Sequence, residues 1–367
     1  MLAVKRYLPM VLLALTVGGL YLPLARYGYV HDDNVMIESF TASGSPGLSP
    51  VDTHFYRPLG TLYCYAVFAL FGMNTVGFHL LAITLLFMTA LAVQRVAAVL
   101  AGDGAIAWGT AFLYAGAAHL HLDAQMWMVG IFDNGTTLFS LLCLLAFMRG
   151  RPWPSALFLA IALGFKETAV PIVVVAGVWA LLQGKERKTI LRLWPHAIVL
   201  VAWIIIKSVG ISPSALPDDH PYAWNVVGWH VLENIGLYVT WFVPVPFGFL
   251  LILSLMGWTC ISTPRTGVLL IVWALLMLLP ASMLLQHAFR YYAILALPPI
   301  ALGVLLGLRA LPIPRRWQVA CVIVLVTVQF TADLFFIQGH VRRGINDDVP
   351  ATDDGYNHLI RRSLQGE

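Results

Sequence analysis

The chain of 367 residues is 59% hydrophobic and 11% charged, with 30 glycines and a formal net charge of +4. A soluble domain carries charged residues at about 25% of its length, so most of this molecule's surface faces lipid rather than water. The sequence holds no heptads, collagen period, low-complexity tract or internal repeat, and its positive charges, scattered over short loops, form no basic face for nucleic acid.

On a ruler of about 20 apolar residues per crossing, hydropathy predicts about eleven spans, at roughly 7–24, 76–100, 105–119, 134–149, 153–165, 168–182, 193–210, 228–260, 266–285, 291–309 and 317–337. The first follows Lys5 and Arg6 in the layout of a signal peptide. Because the rest of the chain is equally apolar, it reads as an uncleaved span. The stretch 228–260 is too long for one crossing, and its first part, 227–241, is expected to lie along the interface. The expected organisation is therefore an all-α polytopic membrane domain over 1–337, with juxtamembrane helices in a first outer loop at 25–75, and a polar C-terminal tail over 338–367. Cys64, Cys143, Cys260 and Cys321 stand singly in apolar segments and read as packing residues.

Charge orients these spans. With a cytoplasmic N-terminus, 13 of the 22 basic residues fall in cytoplasmic segments, four in the tail and only Arg26, Arg57, Lys166, Lys207 and Arg290 in outer loops, the asymmetry of the positive-inside rule. Of the 18 acids only Asp103 and Glu186 fall on the cytoplasmic side. Carboxylates concentrated on one face point to chemistry or binding there, of which solvated loops give a weaker version.

The first outer loop holds the densest polar cluster: His31, Asp32, Asp33, Asn34, Glu38, Asp52, His54 and Arg57. Asp32 and Asp33 follow the first span within a few residues. Adjacent carboxylates raise the cost of ionising each other and can serve as a general base and its electrostatic partner; the plainer reading makes Asp33 or Asn34 the cap of a helix starting at Val35. After a Gly/Ser/Pro linker, Pro58 starts a helix reaching about Phe71. At about 21 Å it is too short for a comfortable crossing and is expected in the interface, as a lid over the acidic pair.

In the second outer loop, His119-Leu120-His121-Leu122-Asp123 has the residue types of a metal site. The alternating spacing, however, belongs to a strand, and this segment is a loop between helices. Hydrogen bonding to a polar substrate, or a plain interfacial loop anchored by Trp127, are the other readings. Lys166-Glu167 interrupts the apolar stretch from Trp153 to Leu182. Ionisable residues at such depth usually face a cavity, against the alternative of a salt-bridged turn at the interface. Arg290, followed by Tyr291 and Tyr292, opens span ten on the outer side, where an arginine can grip phosphate through two parallel hydrogen bonds or serve as an interfacial anchor.

Taken in order, these segments resemble the GT-C class of membrane glycosyltransferases, and most closely the protein O-mannosyltransferase-like group that includes the transmembrane-and-tetratricopeptide mannosyltransferases, without their repeat domain. Tyr29-Val30-His31-Asp32-Asp33 resembles the acidic motif after the first span, Tyr56-Arg57-Pro58-Leu59 the start of the juxtamembrane helix, and Gly77-Phe78-His79-Leu80 the segment opening the next span. His121-Leu122-Asp123-Ala124 with Trp127, Gly130 and Asp133 is similar to the second-loop stretch, Phe165-Lys166-Glu167-Thr168 to a Ser-Lys-Glu motif, and Arg290-Tyr291-Tyr292 to Arg-Tyr-x-Tyr. The chain departs from the pattern in lacking a His-Pro in the second loop and in carrying Phe165 before Lys166.

The resemblance implies inverting transfer of a sugar from a polyprenyl-phosphate donor to an acceptor hydroxyl, on a lipid, glycan or protein, at the outer face of a membrane. A bacterial inner membrane, with the site on the periplasmic side, is the expected setting. Asp32 and Asp33 are then the catalytic pair, with Asp32 as base and Asp33 orienting the acceptor or a divalent cation, for which the two carboxylates are the candidate ligands. Lys166, Arg290 and Arg57 are the expected donor-phosphate contacts, and His121, Asp123, Glu167 and Tyr291 the expected substrate contacts. The rival readings are a transporter or flippase for a polar or lipid-linked substrate, and a membrane protein whose outer loops only bind. A transporter favours inverted repeats with matching broken helices, which this sequence does not show.

Overall fold

The computed structural model describes residues 2–30, 32–49, 55–183, 187–210, 225, 228–243, 248–285 and 288–347. His31, Asp52, His54 and the tail from 348 onward lie outside them. The described residues form helices and turns, with no strand.

Local chemistry punctuates the chain. After α1 (Leu2–Tyr21), a short 3₁₀ turn at Leu22–Arg26 leads to α2 (Asp32–Ser43) and α3 (Pro58–Phe71), the two helices of the first outer loop. Between them and the bundle, Asn74 accepts the N–H of Val76 at 3.1 Å and so caps α4 (Thr75–Ala101). That 27-residue helix stops at Gly102, whose φ of 62° is the left-handed conformation a helix end requires. The next residue, Asp103, accepts the N–H groups of Ala105 and Ile106 at 2.8 and 3.2 Å and starts α5 (Gly104–Gly116) at once.

Next come α6 (Ala118–Met126) and, across a 3₁₀ turn at Met128–Gly130, α7 (Ile131–Met148). They are followed by α8 (Pro152–Phe165), α9 (Pro171–Leu182), α10 (Arg187–Leu191), α11 (Trp194–Gly210), α12 (Trp229–Trp241), α13 (Gly248–Ser262) and α14 (Pro264–Ser282). A 3₁₀ turn at Arg290–Leu295 then precedes α15 (Leu297–Ala310) and α16 (Arg315–Asp347). Proline opens α3, α8, α9 and α14, at the position where its missing N–H costs nothing.

Burial sorts the long helices by role. In Met128–Met148, 89% of the apolar window is buried, whereas the windows in Lys188–Ser208 and Arg315–Gln338 are each 11% buried. Thus α7, packed on α4, α8 and α9, is the axis of the bundle, and α11 and α16 turn apolar side chains outward, as lipid-facing helices do. Six helical segments among the described residues are long and apolar enough to cross a membrane, and α3, α8, α13, α15 and Glu167–Leu182 are shorter apolar helices. The molecule is an all-helical integral membrane protein.

Two sequence expectations are corrected here. The helix of the first loop begins at Asp32 rather than Val35, so neither Asp33 nor Asn34 is its cap. The stretch 228–260, read as too long for one crossing, does divide, into α12 and α13. The segment 118–126, expected as a loop, is a helix whose residues are nearly all buried; packing against the Arg290–Leu295 turn, α16, α4 and α7 satisfies it where its alternating polarity did not mark it as helical. In addition, α16 runs unbroken past the expected boundary at 337 to Asp347.

Candidate active site

The site is built around a tight turn. Gly130 closes the 3₁₀ turn between α6 and α7, and a Cβ there would overlap the backbone of Ala124. Only glycine lets the turn approach α6 so closely. Asn134 of α7 donates to the Ala124 carbonyl at 3.0 Å and holds the other side of the same contact.

Asp33 fastens this turn to the first loop. Its side chain is fully buried, with one carboxylate oxygen accepting from the Val30 N–H at 3.3 Å and the other from the Val129 N–H at 3.2 Å. Ile37 and Phe40 of the same helix, α2, join Cys64 of α3, Phe78 of α4 and Phe132 of α7 in one apolar cluster. Burial pushes the Asp33 carboxyl up to about 7, against the pull of the N–H groups of Met128, Val129 and Val30 and with a smaller push from the Asp32 charge. Asp32, one residue away, is exposed and points into a cavity of about 450 Å³. The two carboxylates of the pair therefore do different things: one ties elements together and the other faces open space.

Lys166 lines the same cavity. It sits in extended backbone between α8 and the 3₁₀ turn Glu167–Ala169. Its Nζ donates to both carboxylate oxygens of Asp133, at 2.7 and 2.9 Å, and lies 4.5 Å from the ring centre of Tyr292 and 5.7 Å from that of Tyr291. Lys166 and Asp133 are both buried, so neither charge is held by bulk water and each depends on the other. Alongside, Arg57 donates Nη2 and Nε to the two oxygens of Glu167 at 2.7 and 3.3 Å, the parallel geometry of a guanidinium–carboxylate fork. The guanidinium lies 4.8 Å from the ring centre of Phe55 and 5.4 Å from that of Phe132. Trp127, Tyr291 and Tyr292 complete the lining with aromatic faces.

Of the residues expected from sequence, the cavity thus brings together Asp32, Arg57, Lys166 and Tyr291, with Glu167 behind Arg57 and Asp33 behind Asp32. It does not bring His121, Asp123 or Arg290 to its wall. His121 is fully buried between Tyr114 and Tyr21, with Nε2 against the Tyr114 carbonyl at 2.9 Å, and burial holds it neutral, down to about 3. Asp123 is raised to about 6 by burial, offset in part by the charge of Arg290. Arg290 itself is exposed and stacks near Trp241 and Phe336, at 6.0 and 5.6 Å.

The described residues include no cluster of three His, Cys, Asp or Glu side chains able to hold a metal. With both oxygens of Asp33 accepting backbone N–H groups, Asp32 is the carboxylate of the pair left to offer a ligand.

Asp133 was within reach of the sequence but not singled out: an acid in the first turn of an otherwise apolar span asks for a cation at the same depth, and Lys166 is the nearest candidate. A second partnership gave no such signal. Asp333, fully buried in α16, accepts from the backbone N–H of His119 at 3.1 Å and from its Nδ1 at 2.7 Å, and takes a further hydrogen bond from Gln329. The first turn of α6 follows Ala117, which supplies no side-chain cap. Asp333 provides the cap from another helix.

No family model and no curated protein matches the sequence. Among solved structures, the chain is similar to ArnT from Cupriavidus metallidurans bound to undecaprenyl phosphate, at a TM-score of 0.59 and 17% identity over 88% of this chain and 64% of that one. It is similar to the apo state of the same protein at a TM-score of 0.56 and 17% identity, over 86% and 62%. The chain spans just under two thirds of the length of these structures. At that identity the likeness is one of fold, and it gives this chain the ArnT-like GT-C membrane fold.

Proposed function

We propose that the protein is a membrane glycosyltransferase that moves a hexose from a polyprenyl-phosphate donor to an acceptor hydroxyl, with inversion at the anomeric carbon. The observation that carries this reading is the cavity itself, whose lining brings Asp32 together with Lys166, Arg57, Trp127, Tyr291 and Tyr292. A sugar-phosphate needs a base at one end and cations at the other, and the aromatic faces suit the C–H surfaces of a sugar between them. The structural neighbour was crystallised with undecaprenyl phosphate, which supports a lipid-linked phosphate as the donor.

In this reading the acceptor hydroxyl attacks the anomeric carbon from the Asp32 side. Its oxygen bonds to that carbon as the bond to the phosphate oxygen breaks, the hydroxyl proton passes to the Asp32 carboxylate, and the polyprenyl phosphate departs with the bonding electron pair. General-base assistance of this kind is worth about 10²–10⁴-fold. Lys166 and Arg57 stabilise the charge that grows on the phosphate. Both already hold carboxylates, Asp133 and Glu167, so donor binding exchanges one anionic partner for another, and the cations stay oriented when the donor is gone.

Asp33 fixes the backbone that carries Asp32, and Glu167 orients Arg57. Arg290, His121 and Asp123 take no part in the transfer step in this reading. We place the cavity on the outer face of a bacterial inner membrane, with residues 1–337 as the catalytic domain, and count the mannosyltransferase-like group as the nearest subgroup.

The test is purified protein with a labelled polyprenyl-phosphate hexose and a panel of hydroxyl acceptors. Acceptor-dependent release of polyprenyl phosphate, lost in Asp32→Asn, supports transfer. Intact donor carried across a vesicle bilayer without hydrolysis would instead establish a transporter.

A further inference from the structure

At the far end of α15 from the catalytic cavity lies a second cleft, of about 410 Å³, where the start of α5, the end of α15 and the start of α16 meet. The 14 residues of α15 separate the two, a distance of about 21 Å along the helix. From the geometry of this cleft we propose that it binds the headgroup and upper acyl chain of an anionic glycerophospholipid.

Its lining changes character with depth. At the rim stand Asp103, Arg309, Arg315 and Gln318, and farther in the walls are Ile106, Leu305, Val319 and Val322. Val322 lies seven residues beyond Arg315 on α16, about 10 Å deeper. Behind the lining, a Cβ on Gly109 of α5 would press on Leu305 at 3.0 Å and approach Val322 at 4.0 Å, so α5 packs closely on both wall residues. A polar mouth over an apolar trough of that depth matches a phosphate with the first carbons of an acyl chain. Trp317, 56% exposed beside the mouth, sits where tryptophan marks the level of lipid headgroups.

The charge balance selects an anion. Asp103 pairs with Arg309 at 3.0 Å, and one of its oxygens is already spent on the N–H groups that start α5. Two guanidinium groups against one carboxylate leave one positive charge at the mouth, supplied by Arg315. Gln318 is not available to a ligand in the same way, because its Nε2 clamps the carbonyls of Arg309, Leu311 and Ile313. That clamp holds the connection between α15 and α16 so that Arg309 and Arg315 stand on the same rim. Basic pockets between helices at the headgroup level are suited to anionic lipid headgroups.

The experiment is native mass spectrometry of the full chain, released from detergent with graded phosphatidylglycerol, phosphatidylcholine of the same acyl chains, or soluble glycerol phosphate. The expected result is a saturable adduct with phosphatidylglycerol, weaker with phosphatidylcholine and absent with glycerol phosphate. Arg315→Ala is expected to weaken it roughly fivefold, the loss of one cation near a membrane surface. Val319→Trp, which fills the trough and leaves the charges alone, is expected to weaken it as well, and Arg316→Ala, one residue away and outside the cleft, to leave it unchanged. Equal binding of the two lipids would overturn the proposal, as would equal losses in Arg315→Ala and Arg316→Ala. Binding of glycerol phosphate as tight as the lipid, or an adduct undiminished by Val319→Trp, would show an anion site without a lipid and overturn it too. None of these readouts depends on glycosyl transfer.

Discussion

Two forces act on Asp33 in opposite directions, and burial prevails over the backbone donors. Because its folded value near 7 lies above the unfolded value of about 3.9, the folded state holds this proton more tightly. Stability is then greatest below about pH 4, falls as pH rises towards 7, and levels off beyond. Thermal unfolding in detergent between pH 5 and 8 is expected to show that fall, and Asp33→Asn to flatten it. Asp32, facing the cavity, is expected to behave otherwise: Asp32→Asn leaves the unfolding midpoint in place and lowers transfer at least 10²-fold, measured as released polyprenyl phosphate. Sequence alone presented the two as a base and its electrostatic partner and did not say which of them would be enclosed. Burial by α2, α3, α4 and α7 is what separates them, and no property of two consecutive aspartates foretells which will be enclosed.

The pair Lys166–Asp133 is a sharper case of mutual dependence. Lys166→Met strands a buried carboxylate and is expected to cost about 3–5 kcal/mol, whereas Lys166→Met with Asp133→Leu recovers most of it. Thermal unfolding of the two single variants and the double variant measures this coupling.

Among the elements, α6 shows most plainly how one helix comes to depend on others. Its N-terminus is capped by Asp333 of α16, and its C-terminal end is pressed against Gly130 and pinned by Asn134 of α7. Replacing Asp333 by Asn keeps an acceptor for the His119 N–H, while Leu removes it. The expected loss is about 1 kcal/mol for the cap and more for leaving His119 without its partner, so Asp333→Leu should unfold at clearly lower temperature than Asp333→Asn. The bounds of α3 were legible, since Pro58, a run of about 14 apolar residues and the break at Gly72 mark them in the sequence. The helix at 118–126 was not, because its short length and alternating polarity carry no 3.6-residue stripe, and its burial comes from neighbours on every side.

Over the whole molecule, arginines and carboxylates divide between two ends of one bundle. The cavity lined by Asp32 and Lys166 lies at the end where α6, α7 and the Arg290–Leu295 turn meet, and the Asp103–Arg309 pair lies at the other. In a background with the four native cysteines removed, Ser39→Cys is expected to react with an impermeant thiol reagent from outside intact cells, and Gly150→Cys only after the membrane is opened. Labelling of Gly150→Cys in intact cells would reverse the assigned orientation.

The sequence by itself determined the solvent of this protein, the approximate course of its helices and the order of its polar segments, because hydropathy, proline and glycine act within a turn or two of where they stand. Only the tertiary structure decided the pairings: Lys166 with Asp133 across 33 residues, Arg57 with Glu167 across 110, and Arg290 beside Trp241 and Phe336 instead of in the cavity. A charge buried in a helical bundle must find its counter-charge among whatever the packing brings near, and that choice is made by the arrangement of all the helices at once.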